Sequence, residues 1–210
     1  MLITEIFKSI QGESSYAGLP CSFIRTTGCN LRCVWCDTEY AFYGGKEMTL
    51  EEILQSVEPH QCSLVEITGG EPLVQHEVPL LAEKLLATGR KVLIETGGTL
   101  DISVLPLGVI RIMDIKCPDS GMMEKMDWEN LNRLRPNDEI KFVINSRSDY
   151  NWAVHILNRY QLHTQNLVLF SPVYQKMQPE TLAEWILEDN LPVRFQIQLH
   201  KVLWGEIPGK

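Results

Sequence analysis

Three cysteines, Cys29, Cys33 and Cys36, lie close together in the sequence and form the group best suited to bind a metal centre. A structural zinc site uses four protein ligands, usually as two pairs. No fourth ligand lies nearby, and the histidines are not spaced as partners of a C-x-x-C pair; they are His60, His76, His155, His163 and His200. Three thiolates on a cluster of four irons leave one iron open to bind a cofactor or substrate. The spacing therefore favours an iron–sulfur cluster over zinc.

A glycine-rich segment, Thr68-Gly69-Gly70-Glu71-Pro72, follows an apolar stretch of the chain. Two adjacent glycines let a backbone approach a ligand without obstruction by side chains. Taken alone, the segment is more typical of a tight turn than of a binding site. Its value as evidence comes from its pairing with the cysteine segment.

Arg25 alternates with Cys21 and Phe23 along an apolar stretch. A charged side chain on a buried strand is costly unless it is paired or bound to an anion. Arg25 can pair internally with Glu13 or Glu95, or its planar guanidinium can hold a substrate carboxylate through two hydrogen bonds. The residues alone favour neither interpretation.

Two further polar groups end apolar stretches. Asp114 and Lys116 flank Ile115 and can hydrogen-bond the ribose or carboxylate of a cofactor, or form a solvated pair. Ser171-Pro172 can flank an adenine, although a turn is the simpler interpretation.

The elements that carry these groups alternate between short β-branched runs and amphipathic stretches, a pattern typical of βα units. We predict strands at Cys21–Thr26, Leu64–Thr68, Lys91–Glu95, Val109–Ile115, Glu139–Ile144, Leu167–Ser171 and Arg194–Gln198. We predict helices at Leu50–Val57, Val78–Thr88, Ser148–Tyr160 and Pro179–Glu188, the first begun by a capping box at Thr49 and Glu52 and the second ended by Gly89. The strands are continuously apolar, which favours a parallel sheet.

A complete eight-fold barrel usually needs about 250 residues, and this chain has 210. We therefore predict an α/β fold with an open, partial barrel and fewer helices than strands. In such folds the active site lies at the carboxyl ends of the strands, where the polar segments also fall. We expect these segments to meet in one pocket.

Composition limits the function. The formal net charge of -8 disfavours binding to nucleic acid or to an anionic membrane surface, and no apolar run is long enough to span a bilayer. The N-terminus lacks the features of a signal peptide, so we expect a cytoplasmic protein in which six cysteines do not form structural disulfides. Cys62 and Cys117 are expected to be buried and not to be ligands. Residues 1–210 are expected to form one domain.

The C-x-x-x-C-x-x-C spacing, with Trp35 before the last cysteine, resembles the radical S-adenosylmethionine (SAM) superfamily. The resemblance implies a 4Fe–4S cluster on Cys29, Cys33 and Cys36 and a partial TIM-like barrel of the radical SAM type. It also implies that the open iron binds SAM, whose reductive cleavage gives a 5′-deoxyadenosyl radical. The cofactor contacts that it implies are Gly69, Gly70, Glu71, Asp114, Ile115, Lys116, Ser171 and Pro172.

More of the chain is similar to the 7-carboxy-7-deazaguanine synthase family. The segments concerned are Ile10–Glu13, Phe23–Cys29, Cys36–Thr38, Thr68–Pro72, Glu95-Thr96 and Gln198–Lys201. That similarity implies a Mg²⁺-assisted ring contraction of 6-carboxy-5,6,7,8-tetrahydropterin to 7-carboxy-7-deazaguanine, with loss of ammonia, on the way to queuosine and other deazapurines. The residues it assigns to the substrate are Ile10, Gln11, Gly12, Arg25, Thr68 and His200, with Glu95 as the catalytic candidate and Thr38 as the Mg²⁺ ligand.

The same resemblance implies a homodimer and an electron donor such as flavodoxin or ferredoxin. The chain departs from the family pattern at Ser14, where glycine is frequent, and at Gly97, where a polar residue is often found. Its C-terminus extends to Lys210, so a substrate role for the terminal carboxylate is not carried over. Two alternatives stay open. One is a glycyl-radical activase, which shares the cysteine spacing but acts on a protein; the other is a zinc-stabilised binding module without catalysis.

Overall fold

One nine-stranded sheet contains strands from both ends of the chain, and the computed structural model describes all residues from 1 to 210. The strands are β1 (Leu2–Ile10), β2 (Pro20–Thr26), β3 (Lys46–Glu47), β4 (Leu64–Gly69), β5 (Lys91–Thr96), β6 (Ile110–Ile115), β7 (Glu139–Ile144), β8 (Leu167–Pro172) and β9 (Arg194–Phe195). The helices are α1 (Leu50–Val57), α2 (Val78–Ala87), α3 (Asn130–Arg133), α4 (Arg147–Arg159), α5 (Pro179–Glu188) and α6 (Leu199–Trp204). No helix is both long and apolar enough to cross a membrane.

The strand order is β3-β1-β2-β4-β5-β6-β7-β8-β9. From β2 to β9 all neighbours are parallel, whereas β1 is antiparallel to β2 and to β3. The sheet stays open, and there are fewer helices than strands. This confirms the predicted partial barrel.

Local signals explain why several elements begin and end where they do. The Thr49 hydroxyl accepts a hydrogen bond from the Glu52 backbone, and the Glu52 carboxylate accepts one from the Thr49 backbone at 2.8 Å, so the predicted capping box forms. Gly89 follows α2 with φ of 79°, a conformation that favours glycine. The predicted helices are confirmed to within about two residues at each end.

Four elements were not predicted from the sequence, namely β1, β3, α3 and α6, and the predicted last strand is too long. β1 carries exposed or half-buried residues at most positions and therefore lacks the continuous apolar run on which the other strands were recognised. β3 is only two residues long, and β9 ends at Phe195 instead of continuing to Gln198. Gln198 is the N-cap residue of the short helix α6.

Side chains alternate between the two faces of the sheet, as the twofold period of a strand requires. The outer face packs on the helices and contains the main core, which includes Ile67, Ile94 and Met113. The inner face has a small apolar layer formed by Cys21, Phe23, Leu64, Leu93 and Ile112. The next inward positions along the same strands are polar, so that the small core supports a polar layer above it.

The connection between β1 and β2 contacts the segment that follows β9. The Ser14 backbone pairs with the Gln196 side chain through two hydrogen bonds of 2.8 Å, and the Leu199 N–H donates to the Gly12 carbonyl at 2.9 Å. Ser14 has φ of 63°, which explains why glycine suits this position in the family it resembles. Segments from both ends of the chain therefore meet at one wall of the inner face.

Candidate active site

A cavity of about 590 Å³ opens on the inner face at the carboxyl ends of the parallel strands. This volume lies in the usual range of small-molecule sites. Most of the residues predicted from the sequence line it, namely Ile10, Gln11, Gly12, Arg25, Cys29, Cys33, Cys36, Thr38, Thr68, Gly69, Gly70, Glu95, Asp114, Lys116 and His200. Four predicted residues do not line it, namely Glu71, Ile115, Ser171 and Pro172. The expected convergence on one pocket is therefore seen for most of the polar segments.

The cysteine loop follows β2 and forms one wall of the cavity. Gly28 has φ of 100° and turns the chain out of the strand, while Leu31 is buried and anchors the loop. The thiols of Cys29, Cys33 and Cys36 are all free. Burial raises the pKa of the Cys29 and Cys33 thiols, and binding to iron would stabilise their thiolate forms.

The donor set of this loop fits an iron–sulfur cluster. Nowhere do three cysteine, histidine or carboxylate groups converge closely enough to hold a single metal ion. A cluster of four irons is larger and takes each thiolate on a different iron. Cys62 and Cys117 are buried away from the cavity, as expected.

The two glycines after β4 allow a close approach to the cysteine loop. A Cβ on Gly70 would lie 2.4 Å from the Gly28 carbonyl oxygen and 2.6 Å from Cys29 Cβ. The Glu71 N–H also donates to the Gly28 carbonyl at 2.9 Å. The glycine segment is therefore fixed against the cysteine loop, which leaves its backbone beside the three thiols.

The side chain of Glu71, which is predicted to contact the cofactor, makes its hydrogen bonds within the protein. Its side chain is fully buried, and its carboxylate accepts hydrogen bonds from Leu73 N at 3.1 Å, Thr96 Oγ1 at 2.9 Å and Gly97 N at 2.7 Å. These bonds tie the loop after β4 to the loop after β5. A side chain at Gly97 would collide with Leu31, which accounts for glycine at this departure from the family pattern.

Ile115, Ser171 and Pro172 also lie outside the cavity because they are buried in the sheet. Ile115 points to the outer core, on the face opposite Asp114. Only backbone groups at the ends of β6 and β8 remain as possible cofactor contacts there. The residues that do line the cavity beyond β8 are Val173 and Tyr174.

Arg25 pairs with Glu5 and not with Glu13 or Glu95, the partners suggested by the sequence. Arg25 Nε donates to Glu5 Oε1 at 2.8 Å, and Tyr40 Oη donates to the same oxygen at 2.9 Å. The guanidinium carbon lies 5.8 Å from the ring centres of both Phe7 and Tyr40. The terminal guanidinium N–H groups have no protein partner, so the end of the side chain can still bind a carboxylate.

Asp114 and Lys116 line the cavity as a pair, with 2.8 Å between Asp114 Oδ2 and Lys116 Nζ. Asp114 is buried, and its second oxygen, Oδ1, has no hydrogen-bond partner. A buried acceptor without a partner is costly. A ligand with a hydroxyl group at this position would supply the missing hydrogen bond.

Sequence reasoning missed the charged group at the centre of the inner face. Lys141 on β7 donates to Glu13 Oε2 at 2.8 Å and to Glu95 Oε1, and it lies 4.0 Å from Asp114 Oδ2. Glu66 on β4 is buried beside this group and accepts a hydrogen bond from the Gln11 side chain. The signal in the sequence was a charged residue in the interior of each of two apolar strands, Glu66 in β4 and Lys141 in β7.

The backbone of Gln11, which the family resemblance assigns to the substrate, is already in use. Its N–H donates to Leu19 O and its carbonyl accepts from Gly18 N, both at 2.8 Å. Contact with a substrate would have to share these groups. His200 packs so closely on Gly12 that a Cβ there would lie 2.0 Å from His200 Nδ1, and burial lowers the pKa of the imidazole.

Thr38 stands beside a second ion pair at the cavity wall. Its hydroxyl donates to Asp37 Oδ1 at 3.0 Å, and Lys201 on α6 donates to Asp37 Oδ2 at 2.6 Å. Burial alone would raise the pKa of Asp37, but Lys201 and Thr38 outweigh it and lower that pKa. Hard oxygen groups therefore gather next to the third cysteine, as a Mg²⁺ site requires.

The end of the chain covers part of the cavity. Gly205 follows α6 with φ of 70° and turns the chain back, and residues 205–210 all line the cavity. The Cβ position of Gly209 is 3.6 Å from Glu5 Oε2, beside the Arg25 pair. The terminal segment thus lies across the end of the cavity where Arg25 is found.

Comparison with known proteins agrees with these features. The family model described as the radical SAM superfamily matches residues 23–186 of this chain. The 7-carboxy-7-deazaguanine synthase of Koribacter versatilis is 47% identical over 97% of each chain, and that of Thermoplasma acidophilum is 41% identical over 100% of each chain. The crystal structure of QueE from Escherichia coli is 23% identical with a TM-score of 0.79, covering 95% of this chain and 94% of that one. The last comparison supports the fold alone.

Proposed function

The chain belongs to the 7-carboxy-7-deazaguanine synthase family of the radical SAM superfamily, and on that premise we propose the reaction that its cavity performs. The protein converts 6-carboxy-5,6,7,8-tetrahydropterin into 7-carboxy-7-deazaguanine with loss of ammonia, in the biosynthesis of queuosine and related deazapurines. Family membership selects this activity over the two alternatives left open by the cysteine spacing, the protein activase and the zinc module.

The observation that carries the proposal is the meeting of three groups in one cavity. The cysteine loop, Arg25 with its free N–H groups, and the carboxylates around Lys141 all face the same space. The cysteine loop suits an iron–sulfur cluster, and Arg25 suits an anion. The carboxylates suit the hydrogen-bond donors of an amino-pyrimidine ring. A small substrate with a carboxylate at one end and such a ring at the other fits this order of groups.

Cys29, Cys33 and Cys36 would hold the cluster, and Gly69, Gly70, Asp114 and Lys116 would contact SAM. When bound, the cluster and SAM supply the 5′-deoxyadenosyl radical that starts the reaction. The glycine pair leaves room for the cofactor beside the thiols, and the free Asp114 oxygen provides an acceptor for a hydroxyl. Ile115, Ser171 and Pro172 are left with a supporting role through the backbone, and Glu71 holds the two loops together.

The chain's own side chains orient the substrate. Arg25 holds the carboxylate through its terminal N–H groups, while Thr68 and Glu95 lie on the next two strands at the same level of the sheet. Neighbouring strands are about 4.8 Å apart, so the backbones of Arg25 and Glu95, two strands apart, are separated by about 10 Å. Their side chains can therefore bind two different parts of the substrate. His200, whose pKa is lowered by burial, is a neutral hydrogen-bonding group near the ring.

We further propose that Thr38, with Asp37 beside it, binds the Mg²⁺ that assists the rearrangement. The segment 205–210 limits access of water to the cavity, which protects reactive intermediates from side reactions. Glu95, with one oxygen directed to the cavity, is the candidate for moving a proton after the ring contraction. Family resemblance supports the roles of Thr38 and Glu95.

The same resemblance supports a homodimer formed by single-domain chains, reduced by flavodoxin or ferredoxin in the cytoplasm. Light scattering of the reconstituted protein tests the dimer; a monomer mass would contradict it. Turnover with each purified, reduced donor protein tests the electron source. Fractionation of source cells tests the location.

The experiment that tests the activity is anaerobic incubation of the reconstituted protein with a reductant, SAM, Mg²⁺ and the carboxytetrahydropterin. We expect 7-carboxy-7-deazaguanine in the product mixture without stoichiometric loss of SAM. Cleavage of SAM with no deazaguanine would contradict the assigned substrate while leaving the cluster assignment in place. Omission of Mg²⁺ should slow product formation and leave the visible absorbance of the cluster unchanged.

A further inference from the structure

Lys141 is the most deeply buried cation of the cavity, with only 5% of its side chain exposed, and neither the sequence motifs nor the family resemblance gives it a role. Its ammonium group lies between Glu13 and Glu95, which come from the β1–β2 connection and from β5. A buried lysine is retained only where carboxylates compensate for its charge. Here the carboxylates outnumber the cations, because Glu66 and Asp114 also face the group.

The two carboxylates held by Lys141 differ in how many of their oxygens have a hydrogen-bond partner in the protein. Glu13 uses both oxygens, since Oε1 accepts from Gln198 Nε2 at 2.8 Å and Oε2 accepts from Lys141. Glu95 uses only Oε1, for Lys141, and its Oε2 has no protein partner. Glu13 is therefore a fixed counter-ion, whereas Glu95 keeps one oxygen available to a ligand. The larger exposed fraction of Glu95, 27% against 14% for Glu13, agrees with this division.

We propose that Lys141 is a positioning residue, an inference that rests on the proposed function: its ammonium group holds Glu95 Oε1 and thereby directs Glu95 Oε2 toward the amino-pyrimidine edge of the substrate. The N–H groups of that edge donate to Glu95 Oε2, while Lys141 occupies Oε1 on the other side. Lys141 itself does not touch the substrate.

The alternative, that Lys141 donates a proton to the departing ammonia, conflicts with its surroundings. Burial alone would lower the pKa of the lysine, but Glu13, Glu95 and Asp114 raise it well above its usual value. An ammonium group so strongly held is a poor acid near neutral pH. A fixed charge is the role that these neighbours favour.

The charges around Glu95 determine how its ionisation responds to Lys141. The pKa of Glu95 lies above its usual value, mainly because of burial; Lys141 opposes this rise, whereas Glu13 and Asp114 add to it. Glu66 adds a further carboxylate from β4, Lys116 partly neutralises Asp114, and His200 lies near Glu13. Loss of Lys141 removes the main group that lowers the pKa, so Glu95 should become protonated at a higher pH.

The test measures binding without turnover. Reconstituted enzyme with SAM and Mg²⁺, but without a reductant, is titrated with 6-carboxypterin, an unreactive analogue with the same amino-pyrimidine edge and carboxylate, from pH 5 to pH 9. The wild type should lose affinity as the pH falls through the pKa of Glu95. Lys141→Met should bind about tenfold or more weakly at neutral pH and lose affinity at a higher pH than the wild type. Lys141→Arg should restore most of the affinity and the wild-type pH profile.

Two further variants keep the proposal testable. Glu13→Gln combined with Lys141→Met removes one charge of each sign and retains the Gln198 contact, so it should fold even if the single variant does not; it should still bind weakly. Lys84→Met removes an ion-paired lysine on the outside of α2 and should bind like the wild type. Wild-type affinity and pH profile in either Lys141→Met protein would overturn the proposal.

Failure of the proposed function looks different. If wild-type enzyme neither binds the carboxypterin nor forms the deazaguanine, the substrate assignment is wrong, and the role of Lys141 toward that substrate falls with it. If the wild type does both and the Lys141→Met proteins bind equally well, only the positioning role is wrong.

Discussion

Buried charged groups lie near both ends of the neighbouring strands β6 and β7, but only the group at the amino ends has all of its hydrogen bonds within the protein. At the amino ends, fully buried Arg111 donates to Asp138, to the Ile102 carbonyl at 3.1 Å and to the Arg133 carbonyl at 2.7 Å. Asp138 in turn accepts from the backbone of Arg111 and Arg135. Toward the carboxyl ends, Asp114 and Lys141 face the cavity, and one Asp114 oxygen has no partner.

The difference separates stability from function. A buried charge that satisfies all of its hydrogen bonds within the protein leaves nothing for a ligand, and its removal exposes an uncompensated partner. A group with missing partners carries a cost that binding of a ligand can remove. We therefore expect changes near Arg111 to lower the free energy of unfolding, and changes near Lys141 and the cysteine loop to lower activity or affinity.

The largest effect is expected from Cys33→Ala at the cavity end. Loss of one thiolate removes a cluster ligand, so both the visible absorbance of the reconstituted protein and deazaguanine formation should fall to background. Cys62→Ala is the matched control, because Cys62 is a buried cysteine outside the cavity. Normal turnover by Cys33→Ala, or loss of the cluster in Cys62→Ala, would contradict the assignment.

At the other end, Asp138→Ala should destabilise the fold without changing the chemistry. It leaves the Arg111 guanidinium buried without its counter-ion, at a cost of about 3–5 kcal/mol. For a chain of this size that corresponds to a lower melting temperature by about 10 °C, measured by circular dichroism.

The control for this variant is Asp101→Ala, which removes a more exposed ion pair with Arg133 and the hydrogen bond that Asp101 accepts from Ser103 N, and should cost about 1–2 kcal/mol. If Asp138→Ala does not yield folded protein, Asp138→Asn keeps part of the hydrogen bonding and should give a smaller shift in the same direction. Equal melting temperatures for Asp138→Ala and Asp101→Ala would remove the contrast between the two ends.

Arg25→Lys should weaken substrate binding selectively. Lysine keeps the charge but loses the planar pair of N–H groups that fits a carboxylate. The KM for the carboxytetrahydropterin should rise by about 10- to 100-fold, while the KM for SAM stays unchanged. An equal rise in both KM values would show that Arg25 supports the cavity as a whole instead of binding the carboxylate.

Asp114→Asn should act on the cofactor instead of the substrate. The change weakens the acceptor at the free oxygen and the pairing with Lys116, so the KM for SAM should rise by about tenfold. The melting temperature should change little, in contrast with Asp138→Ala. A selective rise in the KM for the pterin would place this carboxylate at the substrate.

Local patterns in the sequence predicted most of the fold. Continuous apolar runs indicated the parallel strands, and the capping box at Thr49 and the glycine after α2 indicated helix ends. β1 was not predicted because its burial pattern is mixed, and its antiparallel direction depends on pairing with β2. The cysteine and glycine segments were recognisable because each is continuous in the sequence.

The rest of the candidate site depends on contacts between distant parts of the chain. Lys141 and Glu13 are 128 residues apart, and Ser14 and Gln196 are 182 apart, so no local pattern could pair them. Glu13 and Glu95 were the internal partners suggested for Arg25 as one of two alternatives, but the register of β1 on β2 places Glu5 directly opposite. Glu71 was expected at the cofactor, and only the fold shows that its oxygens are already used by Thr96 and Gly97.

The smallest effect is expected from Thr49→Ala in α1. This variant tests whether a loss of stability outside the sheet leaves the affinity of the cavity unchanged. Thr49→Ala removes the N-cap of α1, whose hydroxyl accepts from Glu52 N at 3.2 Å, and should cost about 1 kcal/mol. Since 1 kcal/mol shifts the melting temperature of a chain of this size by about 2–4 °C, the change is measurable by thermal unfolding. No residue of α1 lines the cavity, so both KM values should equal those of the wild type.

The control is Ser56→Ala, within the same helix. It should be neutral or slightly stabilising, because alanine favours a helix interior more than serine does. A raised KM in Thr49→Ala would show that stability on the outer layer is coupled to the cavity.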